Sequence, residues 1–273
     1  YTCYSRKLDS MKKRIISAIV MLAIVIPIVW YGGNLFRFGV GVVSILALKE
    51  MLDLNKSHHE LPLLVSLVSV ITLLLIVLAE YDGYSIMFGV TYRGIAILLL
   101  SLLGLSIFYD EKKYTATDAL FLIGTIILLG VSFNAMILAR MTDLYLFIYL
   151  ILIFIFTDTF AMLMGMAFGH HKLIPKVSPK KTIEGSVLGS LIGTVVACVF
   201  YHFLVNPISV SVVLVTLALS ILGQIGDLIF SKIKRENDIK DFSNLIPGHG
   251  GILDRLDSTI AIMLGFLLFY SLL

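Results

Sequence analysis

Runs of about twenty apolar residues, the length that crosses the hydrocarbon core of a bilayer as a helix, recur along nearly the whole chain. Continuous runs favour helices, because a membrane-spanning strand would show short segments of alternating polarity. Nine runs meet this criterion: 15–31, 35–54, 61–79, 86–108, 118–139, 143–165, 186–205, 208–230 and 256–273. They predict an all-α, polytopic integral membrane protein in which residues 1–273 form a single transmembrane domain.

Composition excludes the main classes of soluble protein. Hydrophobic residues make up 59% of the 273 residues and charged residues 14%, whereas soluble domains are about half apolar and a quarter charged. Cys3 and Cys198 lie far apart in sequence and form no CxxC pair, so they indicate neither a disulfide framework nor a thiolate metal site. The net charge of +3 is too small to indicate a nucleic-acid partner.

The basic residues are concentrated in alternate connections between the predicted spans. Of the 21 Lys and Arg residues, 18 fall in five segments: 1–14, 49–60, 109–117, 166–185 and 231–255. Positively charged connections tend to stay on the cytoplasmic side of a membrane. We therefore expect the polar N-terminal leader (1–14) and the long loops 166–185 and 231–255 to face the cytoplasm. The second span is the weakest of the nine, because four charged residues lie near its ends: Arg37, Lys49, Glu50 and Asp53.

Two carboxylates, Asp158 and Asp227, lie inside apolar runs, toward the predicted cytoplasmic ends of their spans. An unpaired carboxylate inside a bilayer costs about 2.5 kcal/mol or more. Each must therefore be balanced by a cation, a metal ion or water. A purely structural ion pair with a lysine of a neighbouring helix explains Asp158 as well as a functional role does. That explanation is weaker for Asp227, because a dense polar segment follows it.

This polar segment runs from Gly226 to Asp257 and holds five Asp and five basic residues around Pro247-Gly248-His249-Gly250-Gly251. Glycines permit positive φ and let backbone amides approach a ligand. Asp254 and Asp257 are three residues apart, so they share one face of a helix that starts there. Carboxylates can hold Mg²⁺, which bridges phosphates, while Lys and Arg neutralise phosphate oxygens. The pattern favours a metal–phosphate site over a solvated charged loop.

The other long loop carries Lys172, Lys176, Lys180 and Lys181. Anchoring of the loop at the membrane surface explains the first two well. The last two follow a predicted tight turn at Ser178-Pro179 and precede a helix start. A helix N-terminus flanked by lysines is a natural phosphate site.

These segments resemble the motifs of the phosphatidate cytidylyltransferases, also called CDP-diacylglycerol synthases. The resemblance covers the C-terminal half in detail, and its spacings are intact. It rests on Ser231–Arg235, Lys240-Asp241 and Ile246–Asp257, together with Thr157-Asp158 and Ser178–Gly185. One departure is Phe230, where many members carry Glu, so the resemblance provides no metal ligand at that position.

The resemblance implies transfer of the cytidylyl group of CTP to phosphatidate, which gives CDP-diacylglycerol and pyrophosphate for phospholipid biosynthesis. It implies a multi-pass protein of the inner (cytoplasmic) membrane that uses Mg²⁺, with a second cation left open, and that forms a homodimer. The phosphate of phosphatidate is already an anion, so a strong general base is unnecessary. The main requirement is to bring two anionic phosphates together in line.

Three groups of site residues follow from the motifs and the resemblance. The predicted catalytic residues are Asp227, Asp254, Lys180, Lys181, Lys234 and Arg235. The predicted substrate-binding residues are Ser178, Thr182, Lys240, Asp241, Pro247, Gly248, His249, Gly250, Gly251 and Arg255. The predicted metal ligands are Asp227 and Asp254, which would share one ion, with Asp158 and Asp257 as further candidates.

Other functions fit parts of the pattern. A CTP-dependent kinase of an isoprenoid or other lipid alcohol would use a similar nucleotide site and differ in its product. A cation-coupled transporter would use Asp158 and Asp227 as a relay, but we find no inverted repeat, and the polar residues cluster in loops on one side. A CDP-alcohol phosphotransferase is disfavoured, because its D-G-x-x-A-R spacing is absent.

Overall fold

The computed structural model describes residues 2–55, 61–79 and 90–273, and within these ranges it contains nine α-helices and one two-stranded antiparallel sheet. The helices are α1 (Thr2–Tyr31), α2 (Gly33–Asn55), α3 (Leu63–Val77), α4 (Val90–Phe108), α5 (Ala116–Thr142), α6 (Leu144–Phe168), α7 (Ile183–Leu204), α8 (Val210–Glu236) and α9 (Leu253–Phe269). The strands are β1 (Lys172–Ile174) and β2 (Ser178–Thr182), and a 3₁₀ turn, Tyr270–Leu272, ends the chain.

Six of the described helical segments are long and apolar enough to cross a membrane: Arg14–Tyr31, Ala116–Thr142, Leu144–Phe168, Ile183–Leu204, Val210–Glu236 and Leu253–Leu272. This confirms a helical, polytopic membrane protein. The apolar segments of α3 and α4 are shorter. The charged α2 is not among the six, in keeping with its weak sequence signal. Nine crossings therefore remain a prediction.

The chain divides into two compact units. The first consists of residues 1–138 and 242–253, and the second of residues 139–241 and 254–273. The glycine-containing loop after α8 therefore packs with the N-terminal helices, although α8 itself belongs to the second unit. A single transmembrane domain over both units stays a prediction.

In the first unit, polar side chains fix the ends of helices. The amide of Asn134 on α5 donates to the carbonyl oxygen of Val77 at 3.0 Å, which satisfies an acceptor at the end of α3. Tyr114 is fully buried and donates to the carbonyl oxygen of Leu102 at 3.0 Å. Burial, and secondarily the charge of Asp118, raises the pKa of Tyr114 to about 12, so its hydroxyl keeps its proton at neutral pH.

In the second unit, α6 and α7 pack backbone against backbone. Gly185, Gly189 and Gly193 recur at every fourth position of α7, along the side that faces α6. A Cβ added at Gly189 would lie 2.6–2.7 Å from atoms of Ala161, and one added at Gly193 would lie 2.7 Å from the hydroxyl of Thr157. Small residues allow this approach, which is common between membrane helices.

Hydrogen bonds between side chains connect α8 to both of these helices. Thr157 on α6 lies 2.7 Å from the hydroxyl of Ser220 on α8. The amide of Gln224 on α8 donates to the hydroxyl of Ser190 on α7 at 2.6 Å. These contacts satisfy buried polar groups within the apolar unit. Asp158 of α6 and Asp227 of α8 lie near Lys181, shortly before the start of α7.

We expect Gly189→Val to destabilise the protein by about 1–3 kcal/mol, because the added methyl groups must push α6 and α7 apart. Gly124→Val is the matched control, since a Cβ at Gly124 meets nothing within 4 Å. Thermal unfolding of both variants in the same detergent checks this, and equal midpoints would contradict the close packing.

The connection between α6 and α7 contains a β-hairpin, which corrects the predicted tight turn at Ser178-Pro179. Both residues lie in β2, and the chain reverses at residues 175–177 instead. Lys172 pairs with Thr182, and Ile174 pairs with Ser178. Proline is tolerated here because an edge strand does not need every N–H group. The hydroxyl of Thr182 then caps α7 by accepting from the N–H of Gly185 at 3.2 Å.

The predicted loop 231–255 is also shorter than expected. Helix α8 continues to Glu236, and α9 begins at Leu253. Lys234 and Arg235 therefore lie in the last turn of α8, where positive charge favours a helix C-terminus. Apolar content alone could not reveal this extension, because the last turns of α8 are polar.

Candidate active site

Lys181 is a counter-charge for carboxylates on two helices of the second unit. It forms an ion pair with Asp227 of α8, and each of the two side chains is 22% exposed. Asp158 of α6 also interacts electrostatically with Lys181 and with Asp227. Ser231, one turn after Asp227, donates to its carboxylate at 3.3 Å. A lysine that precedes α7 therefore supplies positive charge to the embedded carboxylates. This is one of the alternatives that the sequence left open.

Asp257 of α9 faces Asp227. The two helices cross closely at Gly226, where an added Cβ would lie 2.5 Å from the Cβ of Ala261 and 2.8 Å from the carbonyl oxygen of Asp257. This crossing brings the carboxyl groups of Asp227 and Asp257 within hydrogen-bonding range. Two ionised carboxylates at such a separation repel each other unless a proton or cation offsets their charge.

A second ion pair joins Lys234 of α8 to Asp254 of α9 at 2.7 Å. Their side chains are only 10% and 3% exposed, so each depends on the other for charge compensation. Lys234 also attracts Asp257 electrostatically. The structure thus brings six predicted site residues close enough to interact through their charges: Asp158, Lys181, Asp227, Asp257, Lys234 and Asp254. An ion shared by Asp227 and Asp254 stays a prediction.

The remaining predicted residues of the second unit lie mostly at its surface. Arg235 is exposed, and its guanidinium donates to the carbonyl oxygen of Ile239 at 3.0 Å, which closes the turn after α8. Thr182 is buried and is used as the cap of α7. Ser178 is half-buried. The other four are exposed: Lys180, Lys240, Asp241 and Arg255.

The glycine-containing loop of the first unit forms a tight turn. The N–H of His249 donates to the carbonyl oxygen of Ile246 at 2.9 Å. Pro247 and Gly248 occupy the two central positions, and Gly248 has a φ of 78°. This is the type II arrangement, in which the third residue needs a positive φ. Gly250 also has a positive φ, of 83°, so two glycines have the conformational role that the sequence suggested.

Two residues outside the predicted motifs hold this loop. The hydroxyl of Ser17 on α1 lies 2.9 Å from both the Pro247 carbonyl oxygen and the His249 ring nitrogen Nδ1. Glu50 on α2 is only 3% exposed and accepts hydrogen bonds from the loop. Sequence reasoning missed both as site residues. Glu50 did carry a signal, since a carboxylate inside an apolar run is a candidate functional residue.

The donor chemistry of the second unit fits a divalent cation shared with a substrate. Among the described side chains, no group of three or more carboxylates, imidazoles or thiols forms a metal site by itself. Mg²⁺, however, is commonly bound by one or two carboxylates together with waters and substrate phosphates. The facing carboxylates of Asp227 and Asp257 supply that donor set.

Comparison with known proteins identifies the family. The sequence profile of the cytidylyltransferase family matches residues 12–273. A phosphatidate cytidylyltransferase of Staphylococcus aureus (strain COL) is 33% identical over 257 residues, which cover 93% of this chain and 96% of that protein. Proteins of the same name from Staphylococcus haemolyticus and Staphylococcus epidermidis (strain ATCC 12228) are each 32% identical, again over 93% of this chain and 96% of theirs. The chain therefore belongs to the cytidylyltransferase family.

Proposed function

We propose that this protein is a phosphatidate cytidylyltransferase, which converts CTP and phosphatidate to CDP-diacylglycerol and pyrophosphate. The observation that carries the proposal is the cluster of Asp158, Lys181, Asp227 and Asp257 in a membrane-embedded unit. The family match and the relatives' names support it. A lipid substrate accounts for a polar cluster at the ends of apolar helices.

The reaction needs little proton transfer. A phosphate oxygen of phosphatidate attacks the α-phosphorus of CTP, and the bond from that phosphorus to the β-phosphate oxygen breaks. The electron pair leaves with pyrophosphate. Repulsion between the two anionic substrates is the main barrier, so positioned positive charge is the chief catalytic requirement.

The side chains of the second unit can meet this requirement. Lys181 would neutralise phosphate charge, and its ion pair with Asp227 would hold it in place. Asp227 and Asp257 would hold Mg²⁺, which when bound would neutralise phosphate oxygens. Lys234 would hold the carboxylate of Asp254 in place at the start of α9. Asp227 and Asp254 as joint ligands of one ion remain the alternative arrangement.

We expect Lys181→Ala to lower CDP-diacylglycerol formation by about 10²–10³-fold, the cost of removing one preorganised electrostatic group. Lys180→Ala should have a smaller effect, because Lys180 is exposed. Lys181→Arg should restore part of the activity if charge dominates and geometry matters less. The control is Lys176→Ala, in the exposed turn of the hairpin. Near-normal turnover in Lys181→Ala would indicate that this lysine only anchors the loop at the membrane surface.

The proposal includes a cytoplasmic site and nine crossings, which the charge bias supports, and location in the bacterial inner membrane, which the bacterial relatives support. In a cysteine-free background, Lys113→Cys and Ser243→Cys should resist a membrane-impermeant thiol reagent until cells are permeabilised. Thr142→Cys, at the exposed C-terminal end of α5, should react without permeabilisation. External labelling of Ser243→Cys would overturn the orientation. The same orientation predicts that a cysteine at Ser57 is protected and that one at Asp82 is labelled from outside; both positions lie outside the described residues.

The activity is tested with purified protein in detergent micelles. Release of pyrophosphate should require CTP, phosphatidate and Mg²⁺ together. A cation-coupled transporter would release none. The homodimer implied by the family resemblance is tested separately, by the mass of the protein in its detergent complex.

A further inference from the structure

The loop of residues 242–253 is fastened to α2 by one buried carboxylate. Glu50 accepts from the hydroxyl of Ser243 at 2.6 Å and from the N–H groups of Ile252 and Leu253 at 2.8 Å each. Its two carboxylate oxygens share these bonds, and its side chain lies almost out of contact with solvent. Three hydrogen bonds from one loop to one carboxylate form a strong, directional attachment.

Two of these bonds lie where α9 begins. The first N–H groups of an α-helix have no acceptor within the helix, and Leu253 is the first residue of α9. Glu50 therefore caps α9 from a distant part of the sequence. Its negative charge also favours the positive end of the helix dipole.

Gly251 allows the cap to form. A Cβ added there would lie 2.5–2.7 Å from the carboxylate atoms of Glu50, closer than a real side chain permits. The absence of a side chain at Gly251 thus lets the Glu50 carboxylate approach this closely, whereas Gly248 and Gly250 are needed for positive φ. Gly251, predicted as a substrate contact, has this packing role independently of any ligand.

We infer that Glu50 is a positioning residue for the reaction. By accepting from Ser243, Ile252 and Leu253, it fixes where the loop ends and α9 begins. Asp254 is the next residue along the chain, and Asp257 follows one turn later, so the start of α9 sets where both carboxylates stand. The effect on turnover rests on the proposed function, whereas the attachment of the loop does not.

Glu50→Gln tests the inference with almost no change in side-chain size. The amide keeps one acceptor oxygen and turns its NH₂ group toward backbone donors, so at least one bond is lost. We expect kcat to fall by about 10–100-fold, the usual effect of losing a residue that orients a directly acting group, with little change in the KM for CTP. Glu50→Asp, which retains the charge, should recover part of the loss. Asp53→Asn, on the same helix and exposed, is the matched control.

Hydrogen exchange provides a readout that is independent of activity. In Glu50→Gln, the amides of residues 252 and 253 should exchange faster than in the parent, while peptides from α6 and α7 should be unchanged. Ser243→Ala should give a smaller loss of kcat. Adding it to Glu50→Gln should cost little more, because both changes break the same contact.

The possible results distinguish failure of this inference from failure of the proposed function. Unchanged exchange at residues 252 and 253, or a kcat equal to that of Asp53→Asn, would overturn the inference. If Glu50→Gln does not fold, Glu50→Asp and Ser243→Ala decide the question by the same two measurements. If the parent protein makes no CDP-diacylglycerol but Glu50→Gln exchanges faster at the start of α9, the proposed function fails and the attachment stands.

Discussion

Asp227→Asn is expected to lower CDP-diacylglycerol formation by at least about 100-fold, the scale of losing one preorganised electrostatic group. The protein should stay folded, because Asp227 faces Asp257 and the change removes a like-charge repulsion. The amide also ends the ion pair with Lys181. Turnover with saturating CTP and phosphatidate measures the loss, and thermal unfolding in detergent measures the folding.

Asp257→Asn should resemble Asp227→Asn, because the two carboxylates form one facing pair. Asp238→Asn is the control: Asp238 is exposed shortly after α8 and has a φ of 53°, which asparagine tolerates. If Asp227→Asn has activity close to that of Asp238→Asn, Asp227 does not act in the reaction. Full activity in Asp257→Asn alone would favour Asp254 as the partner of Asp227.

Lys234→Met is expected to destabilise the protein by about 3–5 kcal/mol, because it leaves the buried Asp254 without its counter-charge. Lys232→Met is the control, since Lys232 is 66% exposed and its pairing with Glu236 at 3.6 Å is a surface contact that contributes about 0.3–0.5 kcal/mol. Thermal unfolding of both variants in one detergent makes the comparison.

The double variant Lys234→Met/Asp254→Leu separates folding from catalysis. Replacing both members of a buried ion pair with apolar residues is often neutral for stability, so the double variant should regain much of the lost stability. It should remain inactive if Asp254 acts in the reaction. Recovery of both stability and turnover would show that this ion pair is purely structural.

Much of the helical architecture could be predicted because length and polarity govern it. Six of the nine predicted spans coincide with described helices of sufficient length and apolar character. The same criteria make the second span a weak prediction, because charged residues lie near both of its ends. The hairpin between α6 and α7 was missed, because its pairing of Lys172 with Thr182 depends on how the ends of two helices are spaced.

The candidate site could be predicted in part. Asp158, Asp227 and Lys181 stood out because charge inside or beside an apolar run needs compensation, and the structure pairs them. The partner of each charge could not be predicted, because it depends on where helices cross. The close crossing at Gly226 is what places Asp257 beside Asp227.

Glu50 illustrates the other limit of the sequence. It is some two hundred residues away from the backbone amides that it accepts from, and no local pattern connects the two segments. Its position inside a predicted span counted only as a weakness of that span. The carboxylate of Glu50 is buried against Gly251 and attaches the loop to α2. Only the fold shows this role.

The central claim is that the cytidylyl group moves from CTP to phosphatidate. The most direct measurement supplies CTP labelled with radioactive phosphorus at either the α- or the γ-phosphate, together with phosphatidate and Mg²⁺, to the purified protein. The account predicts that α-label enters the chloroform-soluble lipid as CDP-diacylglycerol and that γ-label stays in water as pyrophosphate. Transfer of γ-label to lipid when an isoprenoid alcohol replaces phosphatidate would identify a CTP-dependent kinase, and no transfer of α-label to lipid with phosphatidate would contradict the account.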